Sequence, residues 1–156
     1  MTYRMYHLVM YNISPIQQGI QAYHAGMEYA RKWFNTDEFR QWVNEEKTVI
    51  ILNGGTSNSN VNSKYYGTLQ KYEAELVINE IRYAGFYEPD LNDGLSAIAF
   101  LVPEQVWDKE KYPDWNDYID GKAWDEKIKC YGDWLDSIGG DKNEWLREFL
   151  SKFRLA

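Results

Sequence analysis

Two spacings of apolar residues divide the chain into elements. Residues 3–11 (YRMYHLVMY) are a β-prone apolar run and predict a first strand. The next segment, Ser14-Pro15-Ile16-Gln17, has the form of a helix start. Ser14 suits the N-cap, Pro15 the first helical position and Gln17 the N3 place of a capping box. This helix is expected to run to about residue 34. Ile16, Ile20, Tyr23, Met27 and Ala30 recur along it at helical steps and predict its buried face. Gln17, Gln21, His24 and Glu28 recur at the same steps on an adjacent face. A second short helix is expected over residues 37–45, with Phe39, Trp42 and Val43 inward. Residues 48–52 (TVIIL) form a continuous apolar run rich in β-branched residues, the mark of a strand buried on both faces.

Residues 53–63 (NGGTSNSNVNS) favour neither helix nor strand and predict a loop. Thr68 suits the cap of a third helix reaching about Tyr83, with Leu69, Tyr72, Leu76, Ile78 or Asn79, and Tyr83 inward and Gly85 as its C-cap. Residues 86–88 read as a short strand, 89–94 as a turn, and 95–102 (LSAIAFLV) as a buried strand. The order β-α-α-β-α-β-β predicts an α/β fold with a mixed sheet covered by helices. After Val102 the composition shifts, and residues 103–156 hold five of the seven Trp. Two helices are expected there. One covers residues 122–137 with Trp124, Ile128, Tyr131 and Leu135 on one face. Asp141 caps the other, with Trp145, Leu146, Phe149, Leu150 and Phe153 inward. The tail reads as a helical extension packed on the 1–102 core within a single domain.

A length of 156 residues with 44% hydrophobic content suits one domain with a real core. Aromatic side chains make up 17% of the chain, and such residues serve cores and interfaces first, ligands second. The formal net charge of −7 repels a nucleic-acid backbone, so broad tRNA or DNA binding is disfavoured. Acidic balance also serves plain solubility. Cys130 is the only cysteine, which excludes an internal disulfide and a thiolate cluster and gives no sign of an oxidising compartment. As a helix residue in the tail it reads as a core side chain. The first residues do not resemble a signal peptide, and no apolar run approaches the roughly 18 residues of a membrane span. A cytosolic protein without membrane contact is expected.

Three places could carry chemistry. The Gln17/Gln21/His24/Glu28 stripe begins at a helix N-terminus, where free N–H groups favour anions, and His24 is a potential acid, base or anchor. The same spacing suits a solvated helix side. Glu88-Pro89-Asp90, with Asn92 and Asp93, puts carboxylates at a strand end, where they either face a cleft or simply stabilise the turn. Gly54-Gly55-Thr56-Ser57 could offer backbone N–H groups to a phosphate, although no Gly-Lys-Ser/Thr follows as in a P-loop. No metal-ligand spacing and no Ser-His-Asp or Cys-His arrangement is legible, and no cofactor or metal is expected.

Taken in order, the first strand, the capped helix with Gln21-Ala22-Tyr23-His24-Ala25, and the Gly67-Thr68-Leu69 helix start form a recognisable series. Glu88-Pro89-Asp90-Leu91 and Leu95-Ser96-Ala97-Ile98-Ala99 complete it. Over about residues 3–102 the chain resembles the type-two peptidyl-tRNA hydrolases, in the short form of small bacterial and bacteriophage proteins. The resemblance implies a mixed four-stranded sheet with helices on both faces, a homodimer, and cleavage of the ester joining peptide to tRNA. Gln21, His24 and Asp90 match family site positions, and Ser96 stands where the family usually has Thr. The family also has a Lys four residues before the Gln; here that position is Gln17, whose amide cannot offer positive charge to a phosphate or oxyanion.

These readings lead to three functions. In the first, a small nucleotide-like ligand binds between the helix start, the Gly-rich loop and the Pro-Asp turn. Gln17, Gln21, Asn53 and Asp90 would read its polar edges, Tyr23 or Tyr65 would stack, His24 would orient it, and Gly54, Gly55, Thr56 and Ser96 would complete the site. In a viral setting, such binding would sequester a host nucleotide signal. In the second, the chain hydrolyses peptidyl-tRNA with water activated around His24, Asp90 and Gln21. In the third, the aromatic tail is a protein-interaction surface.

Overall fold

A computed structural model of the chain describes residues 1–58 and 67–156; Tyr65 and residues 59–63 of the expected loop lie outside the described residues. The fold is α/β. The four strands are β1 (Tyr3–Met10), β2 (Val49–Gly55), β3 (Tyr83–Glu88) and β4 (Gly94–Pro103), in the sheet order β2-β1-β4-β3. β1 and β2 are parallel, with Met5 opposite Val49 and Leu8 opposite Leu52. A parallel pair needs a long crossover, and α1 (Pro15–Trp33) and α2 (Asp37–Gln41), with a π-helical turn over Trp42–Glu46, supply it. β3 and β4 are antiparallel, so the sheet is mixed as expected. α3 (Thr68–Ile78) joins β2 to β3.

Alternation along the strands puts helices on both faces. Met5 and Val9 of β1 cluster with Ala22, Ala25 and Tyr29 of α1, and with Ala97, Ala99 and Leu101 of β4. Leu8 points the other way, beside Gly54 and Leu69 of α3. The α1 face that meets the sheet is therefore Gln21, Ala22, Ala25 and Tyr29. This corrects the expected stripe: Ile16, Ile20, Tyr23 and Met27 are exposed, Ile16 to 77%. The reason is close approach. Ala22 and Ala25 face Ala84, Ala97 and Ala99 of the strands, and small side chains let the helix lie close to the sheet.

Other boundaries also moved. α3 ends at Ile78, five residues early, because Tyr83 and Gly85 belong to β3; Gly85 is no C-cap. Gly67, not Thr68, is the N-cap of α3, and Val43 is exposed, not inward. β2 is an edge strand with Val49 exposed, not a strand buried on both faces. Its outer edge is paired instead with the last residues of the chain. Asn53 N–H donates to the Arg154 carbonyl and Ala156 N–H to the Ile51 carbonyl, both at 2.9 Å, which satisfies an edge that would otherwise invite another chain.

The chain divides into two compact units: residues 2–101 with 153–156, and residues 102–152. The second unit holds α4 (Glu104–Trp107), α5 (Trp115–Tyr118), α6 (Trp124–Ser137) and α7 (Asp141–Leu150), where two helices were expected. α7 is capped by Gly140, with Asp141 its first residue. The expected face of α6 is divided: Trp124 is 76% and Ile128 64% exposed, Tyr131 packs on Trp115 and Leu135 is half-buried, while Trp134, off that face, is buried. Trp134 packs on Trp115 and Tyr131, and its indole N–H donates to the Pro113 carbonyl at 2.9 Å. Cys130 is a half-buried free thiol on α6. No helix among the described residues is long and apolar enough to cross a membrane.

Candidate functional site

Ser14 caps α1, accepting from the Gln17 backbone N–H at 3.3 Å. That start fixes the rotation of α1 and sends Gln21 toward the sheet, where it is buried. β4 meets it through a bulge. Phe86 of β3 pairs with Ala97 but Tyr87 pairs with Leu95, which leaves Ser96 as the extra residue. A bulge re-aims side chains. Ser96 is consequently turned onto the α1 side, where its hydroxyl donates to Gln21 Oε1 at 2.5 Å and lies 3.3 Å from the Phe86 carbonyl.

The other end of the Gln21 amide donates to Glu88 Oε2 at 2.8 Å. Glu88 also accepts, through Oε1, from the Asp90 backbone N–H at 3.3 Å. The Gln21 bond first, the Asp90 bond second and the nearby His24 hold this carboxyl below the usual range against slight burial. His24 lies flat on the Phe86 ring, with centroids 4.4 Å apart and planes 18° apart. One chain of contacts thus links helix, bulge and turn. Replacing Gln21 with Leu should leave the buried Ser96 hydroxyl without its best acceptor and Glu88 without its first donor. Stability is expected to fall by about 2 kcal/mol. NMR titration should show the Glu88 pKa rising toward its ordinary value, whereas an unmoved Glu88 would disprove this linkage.

Pro89–Leu91 form a single 3-10 turn after β3. Asn92 and Asp93 follow with left-handed backbones (φ 53° and 56°), which Asn and Asp accept more readily than other side chains. The turn exposes Asp90 and Asn92 at the mouth of a cavity of about 370 Å³, whose wall also includes Ser57, Asn58, Met10 and Leu95. Ser57 and Asn58 are held there by Gln70, whose amide donates to Ser57 Oγ at 2.9 Å and accepts from the Asn58 N–H at 3.2 Å.

The expected site residues therefore separate. Gln21 and Ser96 form one buried network, and His24 packs against Phe86 beside it. Asp90 lines the cavity and is tied to that network through its backbone. Gln17 is exposed on the first turn of α1, and Tyr23 borders a different hollow. Asn53 Oδ1 accepts from the Gly55 N–H at 2.9 Å, inside its own strand end. Two of the backbone N–H groups that a phosphate cradle in this segment would use are already bonded. The Gly55 N–H goes to Asn53 and the Thr56 N–H to Thr68 Oγ1 at 2.9 Å, so both donors are engaged. A β-carbon on Gly54 would stand 2.6 Å from Leu69 Cδ2, and Gly55 has φ +85° against Thr68. These glycines serve close packing and a sharp turn. Glu88 and Ser57 belong to segments singled out by the sequence, Glu88 in the Glu-Pro-Asp turn and Ser57 at the end of the Gly-Gly-Thr-Ser segment, whereas Asn58 carries no signal beyond loop composition.

Among the described residues no group of three His, Cys, Asp or Glu side chains is arranged to hold a metal. The sequence matches no protein-family model and no curated protein.

Proposed function

We propose that the first unit binds a small nucleoside- or nucleotide-like ligand at the Pro89–Asp90 turn, without turning it over. The observation that carries this reading is the cavity wall itself. Asp90, Asn92, Ser57 and Asn58 offer polar contacts beside the apolar Met10 and Leu95. A flat heterocycle with N–H donors suits such a wall: the ring lies on the apolar side chains and its amino edge or sugar hydroxyls donate to Asp90. No Lys or Arg lines the cavity among the described residues, so a phosphate group would point to solvent.

Binding without turnover is favoured by how the matched residues are used. Gln21 has both ends of its amide engaged, by Ser96 and Glu88, and the His24 ring lies against Phe86. Neither lines the cavity that holds Asp90. A base that activates water must reach it within hydrogen-bond distance. The ordered matches Gln21, His24, Asp90 and Ser96 support descent of the pocket from a peptidyl-tRNA-hydrolase-like architecture, with Gln17 at the family's lysine position. Sequestration of a nucleotide signal is the use that such a binder would have.

Calorimetry against a panel of nucleosides and nucleotides tests the reading. At least one is expected to bind, with the phosphate adding little, and Asp90→Ala is expected to weaken it by roughly 10- to 100-fold. A panel without a binder would overturn the proposal. Peptidyl-tRNA cleavage abolished by His24→Ala and by Asp90→Ala would establish the hydrolase instead.

A further inference from the structure

The outer edge of β2 carries an extended segment that is not one of the four strands. Backbone groups alternate along a strand. Thr48 turns its carbonyl toward β1, where it accepts from the Met5 N–H at 3.0 Å, and Ile50 faces the same way. Val49, Ile51 and Asn53 therefore turn their backbone groups outward. Residues 153–156 pair antiparallel with that edge, with Leu155 opposite Leu52. The Asn53 N–H donates to the Arg154 carbonyl and the Ala156 N–H to the Ile51 carbonyl. The Phe153 ring stands edge-on to Tyr72 of α3, with centroids 4.8 Å apart.

Three features mark this segment as exchangeable. Its hold is slight. Phe153 is half-buried, while Arg154, Leu155 and Ala156 are exposed, Leu155 to 74%. Ordering these residues consumes chain entropy that exposed backbone bonds and a ring contact barely offset. Its cover is also partial. β2 runs from Val49 to Gly55, and the segment bonds at Ile51 and Asn53, with Val49 still 47% exposed on the same edge. A longer strand in the same register would reach Val49. The third feature is charge. Residues 151–156 carry Lys152 and Arg154 and no acid, on a chain of net charge −7. Such a chain attracts basic segments and repels acidic ones.

From this partly covered edge, we propose that β2 is a docking site for an extended, basic segment of another protein, with an aromatic residue two places before a leucine, and that residues 153–156 mask it in cis. The partner adds a strand through backbone bonds, and its aromatic side chain replaces Phe153 against Tyr72. Two further residues extend the pairing to Val49, which the masking segment does not reach. A tethered mask acts at an effective concentration in the mM range, so the partner needs that extra pairing to displace it. The surface is separate from the cavity at Asp90, since neither Val49, Ile51 nor Asn53 lines that cavity.

The probe is a fluorescent peptide, Ser-Lys-Phe-Arg-Leu-Ala-Val-Thr, which copies residues 151–156 and adds two β-prone residues. Anisotropy with the full chain is expected to give a Kd on the order of 1 mM. Phe153→Ala with Ala156→Pro removes the ring and one N–H donor from the mask and should tighten binding about tenfold or more. Alanine in place of phenylalanine in the peptide should weaken it about tenfold. Binding by the double variant no tighter than by the parent would overturn the proposal. Hydrogen exchange on the unaltered chain gives an independent reading. The Asn53 amide is expected to exchange at least about tenfold faster than the amides of β1, because the segment opens without global unfolding. Equal protection would also overturn the proposal. So would sedimentation showing a dimer that the double variant dissolves, because the edge would then be taken by a second copy.

Discussion

Arg147→Met is expected to lower the stability of the 102–152 unit by about 2–3 kcal/mol, the cost of leaving carbonyls without their charged donor while half-exposed Asp114 keeps Lys109. Arg147 is 7% exposed on α7. Its Nη1 pairs with Asp114 at 2.7 Å, and its Nη2 donates to the Gln105 and Tyr112 carbonyls at 2.6 Å each. Its Nε adds a bond to Gln105 at 3.2 Å. The guanidinium thus pins the irregular segment between α4 and α5 to α7, where no ladder of backbone bonds could. Methionine keeps the apolar stem but leaves two carbonyls unpaired. Arg147→Lys keeps the charge without the planar fork and should recover only part of the loss. Burial alone would raise the Asp114 pKa, but hydrogen bonds from Lys109 and Arg147 outweigh it and hold the group below its ordinary value of 3.8. Its contribution is therefore complete above the unfolded pKa and fades as acid takes the pH down through the folded one. Urea unfolding read by tryptophan fluorescence checks the prediction, since five of the seven Trp lie in this unit. A shift worth less than about 1 kcal/mol would mean that the network is not what holds the segment.

Arg147 also shows what the sequence concealed. In the pattern of α7 it looks like an ordinary solvent-facing residue between Leu146 and Phe149. Its acceptors are carbonyls of a segment without period, and no spacing announces them. The strands β1 and β4, the start of α1 and the mixed sheet were legible because apolar runs and capping residues are local signals. Orientation was not. On both α1 and α6 a stripe of large apolar residues stood out; on α1 Ile16, Ile20, Tyr23 and Met27 face away from the core, and on α6 Trp124 and Ile128 do. Periodicity finds an apolar face without saying what covers it. The true contact face of α1 was hidden by small residues, Ala22 and Ala25, which add little to any hydrophobic pattern yet permit the closest packing. At the candidate site, Gln21, Ser96 and the Glu-Pro-Asp turn were found, but not their division of labour. That division rests on one bulge at Ser96, and a bulge has no signature in an unbroken run such as LSAIAFLV. The Gly-Gly-Thr segment hides its partners for a related reason: the Gly55 and Thr56 N–H groups go to Asn53 and Thr68, twelve residues further along in the latter case.

Acidification from pH 7.5 to pH 5 is expected to remove about 2 kcal/mol of stability through His7 alone, and about 3 kcal/mol by pH 4. Burial pushes the His7 imidazole from 6.5 down to about 4, with the Ile50 backbone pulling weakly the other way. Between those two values the unfolded chain binds a proton and the folded chain does not. Stability therefore rises with pH across this window, is whole above the unfolded value, and is lost as the pH falls. The window separates His7 from the carboxylates. Glu88 and Asp114 are held below 4.5 and 3.8, so their losses come at lower pH. Leucine is close in volume to histidine and matches the Met5, Val49 and Ile51 surroundings, so His7→Leu should fold and flatten the curve between pH 6.5 and 5. At pH 7 the variant should be about as stable as the parent, because it exchanges a buried imidazole, bonded to the Ile50 backbone, for an apolar side chain of similar volume. Urea midpoints across that range, measured on both proteins, decide the matter. Parallel curves would place the acid sensitivity in the carboxylates and leave the His7 nitrogens satisfied.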